Sequence, residues 1–184
     1  MGMEQVTRLL KQEQNAILNR WLRLILETYN PETASRLLKE KNQFSNPVGH
    51  TLRQGLEGVY AELSGELRPD KMHSYLDMII RIRAVQEFSP ARAVAFVFLL
   101  KNIIREESKK KAWTNLISQE DLVEFEQKVD EMALLAFNVY SDCRERLYEL
   151  RVNEVKNRSF RLLQRANLLA EIPESERGSG DSDA

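Results

Sequence analysis

The chain contains a single cysteine, Cys143. Without a second thiol there is no internal disulfide framework and no multi-cysteine metal site, and a reducing, cytoplasmic location is expected. Histidine is almost as scarce, with two residues. The spacings H-E-x-x-H, E-x-x-H and C-x-x-C are all missing, so neither a metal site nor a cofactor is expected. Excess charge of one sign is lacking too: 27 basic against 28 acidic residues leave a formal net charge of -1. That balance gives no global field to hold nucleic acid or an anionic membrane. Long apolar runs are missing as well. The most apolar stretch, Val94 to Leu100, meets Lys101 and Asn102 before Ile103 and Ile104, far short of the roughly 20 residues that span a bilayer. It reads as a buried core helix, and no membrane insertion is expected. The opening MGMEQVTRLLKQEQ has no run of signal-peptide length, and Val6 stands where a myristoylation pattern wants Ser or Thr. Export is not expected.

Seven glycines and five prolines are few for 184 residues, and no sustained period-2 alternation of β-branched residues occurs. Helices must therefore carry the fold, and the 42% hydrophobic content is enough for a buried core. Ile17, Trp21, Leu24, Ile25 and Thr28 line one face of a first helix ending near Tyr29-Asn30-Pro31. A short second helix is predicted over Glu32 to Lys41. Asn46 suits an N-cap and Pro47 the first position of a third helix reaching about Ser64. Pro69 repeats the device, and Met72, Leu76, Ile79, Ile80 and Arg83 trace the stripe of a fourth helix ending near Phe88. A fifth, from Ala91 to Glu107, is apolar almost all round at its start and belongs in the centre of the domain. Trp113, Leu116 and Ile117 read as a connecting turn. Ser118 with Asp121 then resembles a capping box that opens the last helix.

From Gln119 to Ala170 there is neither proline nor glycine, so about 50 residues can run as one helix of roughly 75 Å. Leu122, Phe125, Val129, Met132, Ala136, Val139, Cys143 and Leu150 follow heptad spacing, interrupted by Arg146. The expected organisation is a helical domain over 1–150, an extension of the last helix over 151–172, and a disordered tail over 173–184, where ESERGSGDSDA is polar and glycine-rich. Val155, Leu162, Leu163, Ala166 and Leu169 form a weaker stripe with no intrachain partner left to cover it. They are the candidate interface, which a second subunit can cover.

A search for chemistry finds no catalytic residues. The acidic side chains mostly lie opposite the apolar stripes, as solvated faces do. No G-x-G-x-x-G or G-x-x-x-x-G-K-[ST] phosphate loop and no G-x-S-x-G elbow is present. His73 reads as a boundary residue of the fourth stripe and His50 as exposed or satisfying backbone groups, each weighed against a pH-sensing role. Cys143 falls on a core-facing position, weighed against a redox sensor. Lys109-Lys110-Lys111 before Trp113 follows Glu106 and Glu107, as a solvated helix end does. Trp21, Phe44 and Phe96 are the candidate lining of a ligand pocket between the first and fifth helices, set against a simple core role.

Two stretches carry a family resemblance: Trp21 to Tyr29 with Phe44-Ser45-Asn46-Pro47-Val48-Gly49 and Gly55-Leu56, and Ser89-Pro90-Ala91 through Phe96-Val97-Phe98-Leu99-Leu100-Lys101. Over roughly residues 10 to 150 the chain resembles the N-terminal sensor domain of RsbRD-type RsbT co-antagonist proteins, with the F-x-N-P-V-G turn as the best marker. The resemblance implies a helical input module of bacterial signalling and names no catalytic residue. It further implies a dimeric, haem-free domain of globin-like shape, which in related co-antagonists precedes a phosphorylatable STAS output domain. After Leu150 no α/β segment follows, so a free-standing version is expected. The expected fold is thus an all-α bundle of about six helices, globin-like, with a long C-terminal helix. The expected function is a non-enzymatic sensory or regulatory module acting as a homodimer and through contacts with a protein partner. The alternative is a small-molecule receptor.

Overall fold

A computed structural model describes residues 3–39, 44–66 and 68–166. Among them are eight helices and no strand: α1 (Glu4–Gln12), α2 (Gln14–Leu26), α3 (Pro31–Lys39), α4 (Pro47–Ser64), α5 (Pro69–Val85), α6 (Pro90–Val94), α7 (Phe96–Ser108) and α8 (Gln119–Arg165). The chain divides into two compact units, Met1–Glu145 and Arg146–Ala184. The expected tail over 173–184, Leu169 of the candidate interface and the last two residues of the predicted second helix lie outside the described residues.

Local chemistry explains most helix starts. Asn46 caps α4: its Oδ1 accepts from the Gly49 N–H at 2.9 Å, and its Nδ2 donates to the Leu37 carbonyl at 3.0 Å, tying α4 to α3. A Cβ on Gly49 would lie 2.2 Å from that same Asn46 Nδ2, so the glycine of the F-x-N-P-V-G turn leaves room for the cap. Ser118 and Asp121 form the reciprocal cap of α8, with Ser118 N–H donating to Asp121 Oδ2 at 3.2 Å and Asp121 N–H to Ser118 Oγ at 3.1 Å. Aspartate, one methylene shorter than the usual glutamate, still closes it.

Two differences from the sequence reading enlarge the helix count from six to eight. The first is α1, which buries Val6, Leu9 and Leu10. That i, i+3, i+4 set is one amphipathic face, and the buried Tyr60 hydroxyl anchors it by donating to the Leu10 carbonyl at 2.7 Å. The second is a break at Ala95 in the expected fifth helix, where the Phe98 N–H turns to the Ala95 carbonyl at 3.1 Å, a three-residue closure. An unbroken helix would give the Arg92 carbonyl to the Phe96 N–H, but Arg83 Nη2 donates to that carbonyl at 2.8 Å. A side chain from another helix thus competes with the backbone ladder.

Within the first unit α4 packs on α5 and α2 on α7, with α1 laid against α2 and α4. At Gly58 a Cβ would come 2.2 Å from Tyr75 Cδ1, so α4 and α5 approach more closely than a side chain allows. Ile17, Trp21 and Ile25 of α2, Leu52, Leu56 and Val59 of α4, Leu76, Ile79 and Ile80 of α5, and Phe96, Leu100 and Ile103 of α7 fill the core. Phe125, Val129, Met132, Ala136 and Val139 of α8 are also buried. The Tyr140 hydroxyl donates to the Phe88 carbonyl at 2.6 Å, fixing α8 to the turn between α5 and α6. Burial of a run of α8 side chains, at about 25 cal/mol per Å² of apolar surface removed from water, stabilises the helix far more than its propensity does.

Candidate functional site

The most unusual buried group in the first unit is Arg83, an arginine on the apolar stripe of α5 with no exposed surface. Its Nη2 donates to the Arg92 carbonyl and to Thr28 Oγ1 at 3.3 Å. Its guanidinium carbon lies 4.4 Å from the Phe88 ring centroid, 5.6 Å from that of Tyr29 and 5.9 Å from that of Phe96. Arg92 also stacks on Phe88, at 4.7 Å, and donates to the Thr28 carbonyl at 2.9 Å. No carboxylate pairs with Arg83 among the described residues, and its Nε and Nη1 have no hydrogen-bond partner there. Aromatic faces therefore replace a counter-ion. Burial lowers the arginine pKa, opposed by its interaction with Tyr29, and burial likewise raises the Tyr29 hydroxyl. The apolar stripe of α5 includes Arg83 at sequence level, but nothing in the spacing announces the aromatic cage.

Trp21 and Phe96, two of the three candidate pocket residues, are brought together. Their ring centroids are 6.0 Å apart, both side chains are fully buried, and Trp21 Nε1 donates to the Phe96 carbonyl at 2.7 Å. A buried indole N–H needs an acceptor, and this bond locks α2 to α7. Phe44 is not brought to them: it lies ahead of α4 with 86% of its surface exposed. A cleft with a volume of ≈ 420 Å³ lies elsewhere, between α4 and α5. Val48, Thr51, Met78, Ile82 and Val85 line it beside the Asp77–Arg81 ion pair at 2.8 Å. Cys143 is buried, and its Sγ donates to Asp77 Oδ1 at 3.8 Å. His50 and His73 are exposed. No group of three His, Cys, Asp or Glu side chains suited to a metal ion occurs among the described residues.

The second unit contributes the part of α8 that begins at Arg146. Every described residue from 148 to 166 is exposed, and many are apolar: Val152 at 49%, Val155 at 63%, Leu162 at 58% and Leu163 at 43%. Val155, Leu162, Leu163 and Ala166 of the candidate interface thus lie on the surface of this helix.

The described residues form an all-helical domain with a buried core, and the family model that it matches is one of sensor-type domains of bacterial signalling. The family of the RsbT co-antagonist protein rsbRD N-terminal domain matches residues 15–155, and the chain belongs to it. No curated protein and no solved structure matches the chain.

Proposed function

We propose that the chain is a non-enzymatic sensory or regulatory module that acts through dimerisation and contacts with a partner protein. The observation that supports this is the exposed apolar face of residues 148–166. A soluble chain seldom leaves such a face in water unless something covers it. In this reading residues 1–150 are a sensor body of globin-like arrangement, the rest of α8 transmits or receives the signal, and the module works in the cytoplasm. A helix long and apolar enough to cross a membrane does not occur among the described residues. Leu162→Glu is the test, because it places a charge in the middle of the face. It should weaken association by at least tenfold in sedimentation while helix content by circular dichroism stays the same. Unchanged association would overturn the reading.

A second reading, a small-molecule receptor, draws support from the cleft between α4 and α5 rather than from the Trp21–Phe96 pair. A ligand at 100 times its dissociation constant adds roughly 2.7 kcal/mol of stability. A thermal-shift screen against metabolite pools therefore separates the two readings.

A further inference from the structure

Three buried polar atoms of one cluster in the first unit have no hydrogen-bond partner among the described residues: Arg83 Nε, Arg83 Nη1 and the Tyr29 hydroxyl. The two side chains are neighbours, with the guanidinium carbon 5.6 Å from the tyrosine ring centroid, and they interact electrostatically. The other charged side chain that acts on Arg83 is Arg92, a second cation. The Phe88, Tyr29 and Phe96 rings attract the guanidinium, but a ring face gives Nε and Nη1 no oxygen to bond. Guanidinium nitrogens only donate. Even a Tyr29 hydroxyl turned to accept from Arg83 therefore leaves donors in excess. The backbone carbonyls of the surrounding residues are already engaged: that of Thr28 accepts from Arg92 Nη2, that of Arg92 from Arg83 Nη2, that of Phe88 from the Tyr140 hydroxyl and that of Phe96 from Trp21 Nε1. A water molecule brings further hydrogens to place among those same oxygens, and no charge. An anion brings acceptors and negative charge together.

We infer that Arg83 and Tyr29 bind a small, weakly hydrated, singly charged inorganic anion of the nitrate or halide class. The outer rim of the cluster is at the surface, where Arg92 is exposed and Thr28 and Tyr29 are half-buried. Three rings, with centroids 4.4, 5.6 and 5.9 Å from the guanidinium carbon, crowd Arg83, so the ligand has to be small. The cost of taking an ion out of water grows with the square of its charge, which sets sulfate and phosphate far behind nitrate and chloride. One negative charge also matches the one enclosed cation, since Arg92 keeps its water. The bound ion lies on the same guanidinium that holds the Arg92 carbonyl at the break between α6 and α7, so occupancy acts on that break. This site goes beyond the contact-module reading and is independent of the exposed face of residues 148–166.

Chloride NMR on the full chain tests this, with gluconate, too large for the cluster, holding the ionic strength constant. The chloride line should broaden in the presence of the parent chain and sharpen again as sodium nitrate displaces the bound ion. Arg83→Met should weaken chloride binding by about tenfold or more, as the loss of a charge-assisted bond does. Tyr29→Phe, which removes only the hydroxyl, should weaken it by about threefold. Helix content by circular dichroism should stay the same in both variants. No broadening by the parent chain overturns the inference. So does broadening that both variants leave unchanged, which identifies adventitious surface ions only. If Arg83→Met does not fold, Tyr29→Phe decides: weaker chloride binding supports the site, and binding equal to that of the parent chain overturns it. Displacement of chloride by sulfate at lower concentration than by nitrate overturns the singly charged class in favour of a divalent oxyanion.

Discussion

Replacing Arg83 by methionine measures what a buried cation without a counter-ion contributes. The substitution removes the charge-assisted bond from Nη2 to the Arg92 carbonyl, worth about 1.5–3 kcal/mol. It also removes the attraction to the Phe88, Tyr29 and Phe96 rings, about 2 kcal/mol when desolvated. Against these stands the desolvation of the guanidinium, about several kcal/mol per buried ion, together with two donors, Nε and Nη1, that have no partner among the described residues. The lowered arginine pKa has the sign expected of a charge that its surroundings disfavour on balance. Methionine restores much of the volume, and its sulfur recovers about 0.3–1.5 kcal/mol on the aromatic faces. The Arg92 carbonyl is not orphaned either, because the Phe96 N–H can take it and close the break at Ala95. Arg83→Met should therefore leave stability unchanged to about 1 kcal/mol higher. Arg83→Ala, which leaves a cavity between three rings, should lose about 3 kcal/mol, or on the order of 6–12 °C in Tm for a chain of this size. Urea denaturation of the two variants beside the parent decides the matter. A loss of more than about 3 kcal/mol in Arg83→Met would refute the cancellation and show that the cation itself holds the site together.

Asn46→Ala should cost about 1–2 kcal/mol in urea denaturation, because it removes the cap on the Gly49 N–H and the donor to the Leu37 carbonyl together. Glu62, only 1% exposed, accepts from the Arg68 backbone N–H at 2.9 Å and from its guanidinium Nε at 3.1 Å. These bonds lower its pKa below the ordinary 4.5. A depressed folded-state pKa contributes stability that is present above the unfolded value and lost as pH falls through the folded one. The urea midpoint should therefore drop as pH falls below 4.5, and Glu62→Gln should be less stable at neutral pH with a shallower acid slope; identical slopes would remove Glu62 from the acid response. Leu162→Glu should reduce association and spare helix content, read by sedimentation and circular dichroism.

How much of this was legible in the sequence depends on the distance along the chain between interacting groups. The Asn46 cap, the Ser118–Asp121 box and the proline at the start of α4 and of α5 act within three or four residues, and each could be read from spacing alone. The same holds for the apolar face of residues 148–166, whose candidate interface residues Val155, Leu162, Leu163 and Ala166 are exposed in the structure. α1 was legible in principle, since Val6, Leu9 and Leu10 carry a helical spacing, but three residues make a weak stripe. Phe44 shows the limit of residue type as a guide. An aromatic in a turn belongs to no periodic pattern, and periodicity is what reports which side of an element faces the core.

The sequence by itself determined the helical class, most helix starts and the resemblance to the RsbRD N-terminal domain, because composition, capping and periodicity are properties of neighbouring residues. Tertiary structure alone decided that Arg83 is enclosed by aromatics from α5–α6, α2–α3 and α7, that its bond to the Arg92 carbonyl splits the expected fifth helix, and that Trp21 spends its N–H on Phe96. It also opened the cleft between α4 and α5. Those outcomes join groups as far apart as Trp21 and Phe96 or Tyr140 and Phe88. Such partners are selected by how whole helices pack, where volume and the satisfaction of every buried polar atom are settled together.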